Sequence, residues 1–173
     1  MRSDRTRRTR IIINSDIAGA VADAPTYQTL HVRFIGREEP SLPALTVEEL
    51  RLRAVRGEVE AQIGWAHKLL EGSDVPRDLA AAYRWFRRAA RSGHADAFNM
   101  LGRCHELGWS VPVDYAEATL WYRQAADKGH AWAAFNLASL LAQGRGVPVD
   151  RNEALSLLVR SARAGNPKAM NMI

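Results

Sequence analysis

Residues 144–150 read Gly144-Arg145-Gly146-Val147-Pro148-Val149-Asp150, and the same phrase stands 36 and 72 residues earlier. Gly108-Trp109-Ser110-Val111-Pro112-Val113-Asp114 and Gly72-Ser73-Asp74-Val75-Pro76-Arg77-Asp78 keep glycine, valine, proline and aspartate in register without a gap. A second series, Gly57, Gly93, Gly129 and Gly165, has the same 36-residue step. Recurrence at this period marks stacked supersecondary units, each too small to close a core alone. The phrase has the chemistry of a helix–helix connector. Glycine ends one helix in the left-handed conformation that a residue without Cβ adopts cheaply. Proline blocks continuation, and aspartate restarts the chain as an N-cap. Glu117 and Glu153 stand three residues after Asp114 and Asp150, which predicts two capping boxes.

Outward from the connector, each unit divides into two helical stretches. Helix A covers Glu58–Glu71, His94–Leu107 and His130–Gln143. Its inward positions are Ala61, Trp65 and Leu69, then Ala97, Leu101 and His105, then Ala133, Leu137 and Leu141. Spacings of i, i+4 and i+8 hold three side chains on one stripe. Helix B carries Ala82, Trp85, Phe86, Ala89 and Ala90, then Ala118, Trp121, Tyr122, Ala125 and Ala126. The third set is Ala154, Leu157, Leu158, Ser161 and Ala162. That is a broad apolar face whose large pair fills the space between units and whose small pair brings helix axes close.

These residues resemble the Sel-one-like repeat (SLR): Gly-x-Gly-Val-x-x-Asp, an alanine, an aromatic pair, Ala-Ala, and Leu101-Gly102 in helix A. The resemblance covers residues 57–164 as three units and part of a fourth. It implies a relative of the tetratricopeptide repeat, with helix pairs stacked in a right-handed superhelix, and a protein-binding role. Ser73-Asp74 and Trp109-Ser110 depart by lacking the second loop glycine, and the third unit replaces the aromatic pair with leucines. The expected fold is all-α, an α-α solenoid of three 36-residue helix pairs at 57–92, 93–128 and 129–164. A cap helix over 46–56 precedes them, since Val47, Leu50, Ala54 and Gly57 align with Tyr83, Phe86, Ala90 and Gly93 and Thr46…Glu49 repeats the capping pattern. A partial fourth unit spans 165–173, where Met170, Met172 and Ile173 are expected to dock on the last helix B or join two chains. Residues 11–45 read as loop-rich with short strands at Ile11–Ile13 and Leu30–Phe34.

The chain has 173 residues and a net charge of +5. Residues 1–10 hold Arg2, Arg5, Arg7, Arg8 and Arg10 against Asp4, so +4 of that charge sits in a flexible arm and the body is nearly neutral. No apolar run reaches the roughly 18 residues a membrane span needs. Asn14, Ser15 and Asp16 interrupt the apolar stretch an export signal requires, so the expected location is the cytoplasm. Cys104, the single cysteine, excludes an internal disulfide and a thiolate zinc site. His31, His67, His94, His105 and His130 show no metal-binding spacing, and no phosphate or dinucleotide fingerprint occurs. Cys104 and His105 are about 100° apart round one helix and cannot form a nucleophile–base pair. No catalytic residue, cofactor or metal is expected.

What remains is binding. With the repeated core removed, helix A shows a variable face: Glu60, Ile63, His67, Leu70 and Glu71; Asp96, Asn99, Arg103, Glu106 and Leu107; Trp132, Phe135, Ser139, Ala142 and Gln143. By resemblance to tetratricopeptide domains, this face lines a concave groove that takes peptides. Trp132 stands out because its equivalents are Glu60, Asp96 and Lys168, a position built to be wet. The expected site is Trp132, Phe135, Ser139, Asn99, Arg103, Ile63 and His67, holding an extended or helical segment of another protein in a non-catalytic adaptor. Two rivals come from other classes. One is nucleic-acid or anionic-membrane attachment through the arginine arm. The other is a weak β-lactamase-like hydrolase, after the cysteine-rich members of the family, whose paired repeat cysteines and Ser-x-x-Lys are missing here.

Overall fold

Each connector ends the first helix of its pair where the glycine stands. Gly72, Gly108 and Gly144 take φ of +73°, +71° and +67°. The computed structural model describes residues 46–173. The expected basic arm 1–10 and the expected strands within 11–45 lie outside the described residues. The helices are α1 Val47–Arg56, α2 Val59–Glu71, α3 Leu79–Ala90, α4 Ala95–Leu107, α5 Tyr115–Asp127, α6 Ala131–Gln143, α7 Arg151–Arg163 and the single turn α8 Pro167–Met170. Helices α2 and α3, α4 and α5, and α6 and α7 pack as pairs, each pair lies on the next, and α4 also touches α6. The described residues form an all-α, α-α solenoid.

The aspartates start the second helix of each pair. Asp78, Asp114 and Asp150 carboxylates accept the N–H of Ala81, Glu117 and Glu153 at 2.8, 2.9 and 2.9 Å. The expected capping boxes are only half made. The N–H groups of Asp114 and Asp150, which the glutamates should receive, instead donate back to the carbonyls of His105 and Leu141 at 2.9 and 3.1 Å, as that of Asp78 does to Leu69 at 2.9 Å. That bond ties the connector to the helix it has just left and leaves the glutamates for other work. Glu153 pairs with Arg123 on α5, and Glu49 with Arg53 at 2.7 Å. Gly146 (φ +71°) has no alternative, because a Cβ there would lie 2.3 Å from the carbonyl carbon of Tyr115. Its equivalent Ser110 holds φ +66° with a side chain.

The core follows the stripes, with two corrections. The large pair of helix B splits: Phe86 and Tyr122 are fully buried, whereas Trp85 and Trp121 are half-buried beside them. His105, expected inward, is half-buried with its Nε2 3.4 Å from the Tyr83 hydroxyl, because a polar ring at that position moves toward a partner. At the end of the solenoid, α8 docks through Ala169 alone, and buried Asn166 caps it by accepting the N–H of Lys168 and Ala169. The expected docking of Met170, Met172 and Ile173 on α7 does not occur. They are 59%, 64% and 65% exposed, since a helix of one turn offers one inward position and Ala169 occupies it.

Candidate protein-binding groove

The candidate groove begins with the turn that launches α6. His130 Nδ1 accepts the N–H of Ala133 at 3.1 Å and so caps the helix. That acceptor role places the ring proton on Nε2, which lies 2.7 Å from Asp96 Oδ1 on α4. One turn deeper, Asn136 Nδ2 donates to Asn99 Oδ1 at 3.4 Å. These two bonds join α4 to α6 along one side and make one wall of two helices.

Trp132 stands on the first turn of α6 and is 41% exposed. Its ring meets half-buried Phe135 edge to face, with centroids 6.3 Å apart at 77°. Lys168, at the equivalent position of the next unit, holds its ammonium 5.7 Å from the indole centroid. The indole therefore offers one covered face, with a cation over it, and an open edge to solvent. Ser139 continues the line and accepts from Gln143 Nε2 at 2.7 Å.

The structure sorts the remaining expected residues. Arg103 is half-buried, with its guanidinium 4.8 Å over the Trp109 ring of the connector. His67 is half-buried, edge-on to Phe86 at 5.2 Å. Burial pushes its pKa below the ordinary histidine value, against the pull of Glu71 and Asp96. Asn99 is 7% exposed and contributes only through Asn136. Ile63 is a correction: at 6% exposed it belongs to the core of the first unit, so it cannot line a surface. The sequence reading missed Asn136 and His130 as parts of the wall. A signal existed for each: Asn136 stands where the other units have Gly64 and Met100, and His130 recurs at His94.

Cys104 is buried and its thiol is pushed up to about 12 by burial, which leaves it a packed side chain rather than a nucleophile. The Tyr122 hydroxyl is pushed well up, chiefly by burial, and donates to Glu106 Oε2 at 2.5 Å.

A family profile for the Sel1 repeat matches residues 59–94, 95–130 and 133–166. The chain belongs to the Sel1 repeat family. A crystal structure of a protective antigen of uropathogenic Escherichia coli with an SLR fold is 35% identical, with a TM-score of 0.70 over 73% of this chain and 27% of its own. A Sel1 repeat protein from Oxalobacter formigenes is 30% identical with a TM-score of 0.70, over 73% of this chain and 50% of its own. Cysteine-rich protein B of Helicobacter pylori shares the fold, with a TM-score of 0.60 at 18% identity. In sequence, the secretory immunoglobulin A-binding protein EsiB of Escherichia coli is 40% identical over 52 residues, 28% of this chain. The chain spans 11% of that relative's length. Sel1 repeat proteins are in general scaffolds for protein interaction. No helix among the described residues is long and apolar enough to cross a membrane.

Proposed function

We propose that this Sel1 solenoid is a non-catalytic adaptor that holds a segment of another protein along the α4–α6 wall. The observation that carries the reading is the Trp132–Phe135 edge-to-face pair, exposed under the Lys168 ammonium where every other unit places a charged residue. An aromatic anchor beside a cation and amide groups suits an extended or helical segment, its apolar residue against the indole and its carbonyls or carboxylates toward Lys168 and Asn136. A relative named for binding immunoglobulin A fits protein recognition as the general task. The test is quantitative affinity purification from the source cells with the wild type and Trp132→Glu side by side. The glutamate copies Glu60 of the first unit, so helicity and melting temperature should hold while specific partners fall at least tenfold. Truncating such an anchor typically costs about 2 kcal/mol or more. Partners retained undiminished, or a protein that unfolds, would remove the assignment. Deleting residues 1–10 should leave the captured set unchanged; its disappearance would transfer the role to the arginine arm.

A second reading rests on the exposure of Met170, Met172 and Ile173. Three exposed apolar side chains within four residues favour self-association there. Light scattering on a Met170→Ser/Met172→Ser/Ile173→Ser variant should report a smaller particle than the wild type if that surface joins two chains.

A further inference from the structure

Phe98 and Leu101 lie about half a turn round α4 from Asp96, Asn99 and Arg103, at 100° per residue. They therefore face away from the groove, and they floor a separate cavity of about 290 Å³ between α3, α4 and α5. Phe98 and Trp121 stack there with centroids 5.7 Å apart at 29°. Arg87, Arg91 and Gln124 form the rim. Arg87 on α3 and Arg91, the residue that ends it, are four positions apart in sequence. That helix carries no acidic residue, and Arg84, Arg87, Arg88 and Arg91 are all exposed and make no ion pair among the described residues.

The repeat supplies an internal control. One unit on, a cavity of about 330 Å³ lies between α5, α6 and α7. The positions equivalent to Phe98 and Trp121 are there Ala134 and Leu157. Arg160 on its lining, the counterpart of Gln124, donates to the Ala126 carbonyl at 2.9 Å, and Arg123, the counterpart of Arg87, pairs with Glu153, while Arg163 on the lining makes no ion pair among the described residues. Glu117, the counterpart of Glu153, makes no such pair with Arg87. Of the two cavities, only the first sets an aromatic floor beside two arginines that make no ion pair among the described residues.

We propose that this cavity docks an acidic peptide segment of a partner protein. Its apolar side chain rests on Phe98 and Trp121, and flanking carboxylates engage Arg87 and Arg91. The cationic run is one helix wide, and Glu117 and Asp127 interrupt it on α5. A phosphate backbone would need a longer track of cations, whereas a peptide with one anchor does not. A recess between helices with an apolar floor and few polar groups is suited to a side chain.

The experiment is a random peptide library panned on the full chain, followed by fluorescence anisotropy with the enriched peptides. One apolar residue flanked by aspartate or glutamate should emerge. Arg87→Glu/Arg91→Glu should weaken binding at least tenfold with the melting temperature unchanged, and Arg87→Gln/Arg91→Gln should weaken it less. Trp132→Glu should leave binding intact, which separates this site from the groove. Four results would overturn the proposal: no enriched peptide, enriched basic peptides, binding indifferent to both arginine variants, or an oligothymidylate strand that displaces the peptide at equal concentration.

Discussion

Gly102 and Tyr122 meet so closely that neither can be read alone. A Cβ at residue 102 would lie 2.5 Å from Tyr122 Cδ1, and the Tyr122 hydroxyl is fixed to Glu106, so the ring has little room to retreat. The other units place Ala66 and Ala138 here, opposite Phe86 and Leu158. Gly102→Ala should therefore lose about 1–3 kcal/mol to overpacking, even though alanine is the better helix former. A urea midpoint that holds or rises would show that the ring yields. The opposite sign applies at Ser110, where a side chain sits at φ +66°. Ser110→Gly should raise stability by up to about 1 kcal/mol, as relief of left-handed strain outweighs the entropy of glycine. His67 supplies the pH dependence. Its folded pKa is lowered by burial, so below the ordinary value of 6.5 the unfolded chain binds the proton more readily. Stability then falls as pH drops through that value, and nothing is lost above it. The melting temperature of the wild type should fall between neutral pH and pH about 5.5 by more than that of His67→Gln. Equal slopes would mean the ring is solvated enough to charge in place.

The helices were legible because their boundaries are written in residues with only one good use. Gly72, Gly108 and Gly144 are left-handed, and Asp78, Asp114 and Asp150 hold the N-caps. The capping glutamates were not legible. Their pattern is the same whether or not the N-cap N–H is free, and only the folded chain shows that N–H bonded to the preceding helix. The two substitutions therefore separate. Asp114→Ala should cost about 1 kcal/mol, while Glu117→Ala should cost only a few tenths. Equal losses in chemical denaturation would restore the reciprocal box. The groove shows the same limit. Repeat-to-repeat variation singled out Trp132, because a tryptophan among charged equivalents is a departure from the pattern. It could not separate Phe135 from Ile63, which share a position. Whether that position faces water depends on what the neighbouring helix places against it, and in the first unit Ile63 joins the core.

A solenoid is a chain of interfaces, and in this molecule they are unequal. Between the second and third units run the Arg123–Glu153 pair, the Arg160 bond to the Ala126 carbonyl, and the His130–Asp96 and Asn136–Asn99 contacts, and inside the third unit the Ser161 hydroxyl donates to the Ala131 carbonyl at 2.7 Å. Between the first and second, the described side-chain hydrogen bonds reduce to Tyr83 and His105 at 3.4 Å. Sequence shows such differences only as departures: Ser161 replaces Ala89 and Ala125, but its acceptor lies on another helix and no spacing reveals it. Because stability in a repeat array is close to a sum of unit and interface terms, the first unit should open before the other two. Native-state hydrogen exchange in low denaturant should find amides of α2 and α3 exchanging faster than those of α5 and α6. Ser161→Ala tests the unit term of the third pair. It removes the fully buried hydroxyl's bond and leaves the Ala131 carbonyl without that donor, a loss of about 1–3 kcal/mol. Exchange should accelerate in α6 and α7, narrow the gap to α2, and leave α2 itself nearly unchanged. If α2 exchanges slowest in the wild type, or if Ser161→Ala accelerates every helix equally, apolar packing and global unfolding set the order instead. The groove wall of α4 and α6 would then not be the most persistent part of the molecule.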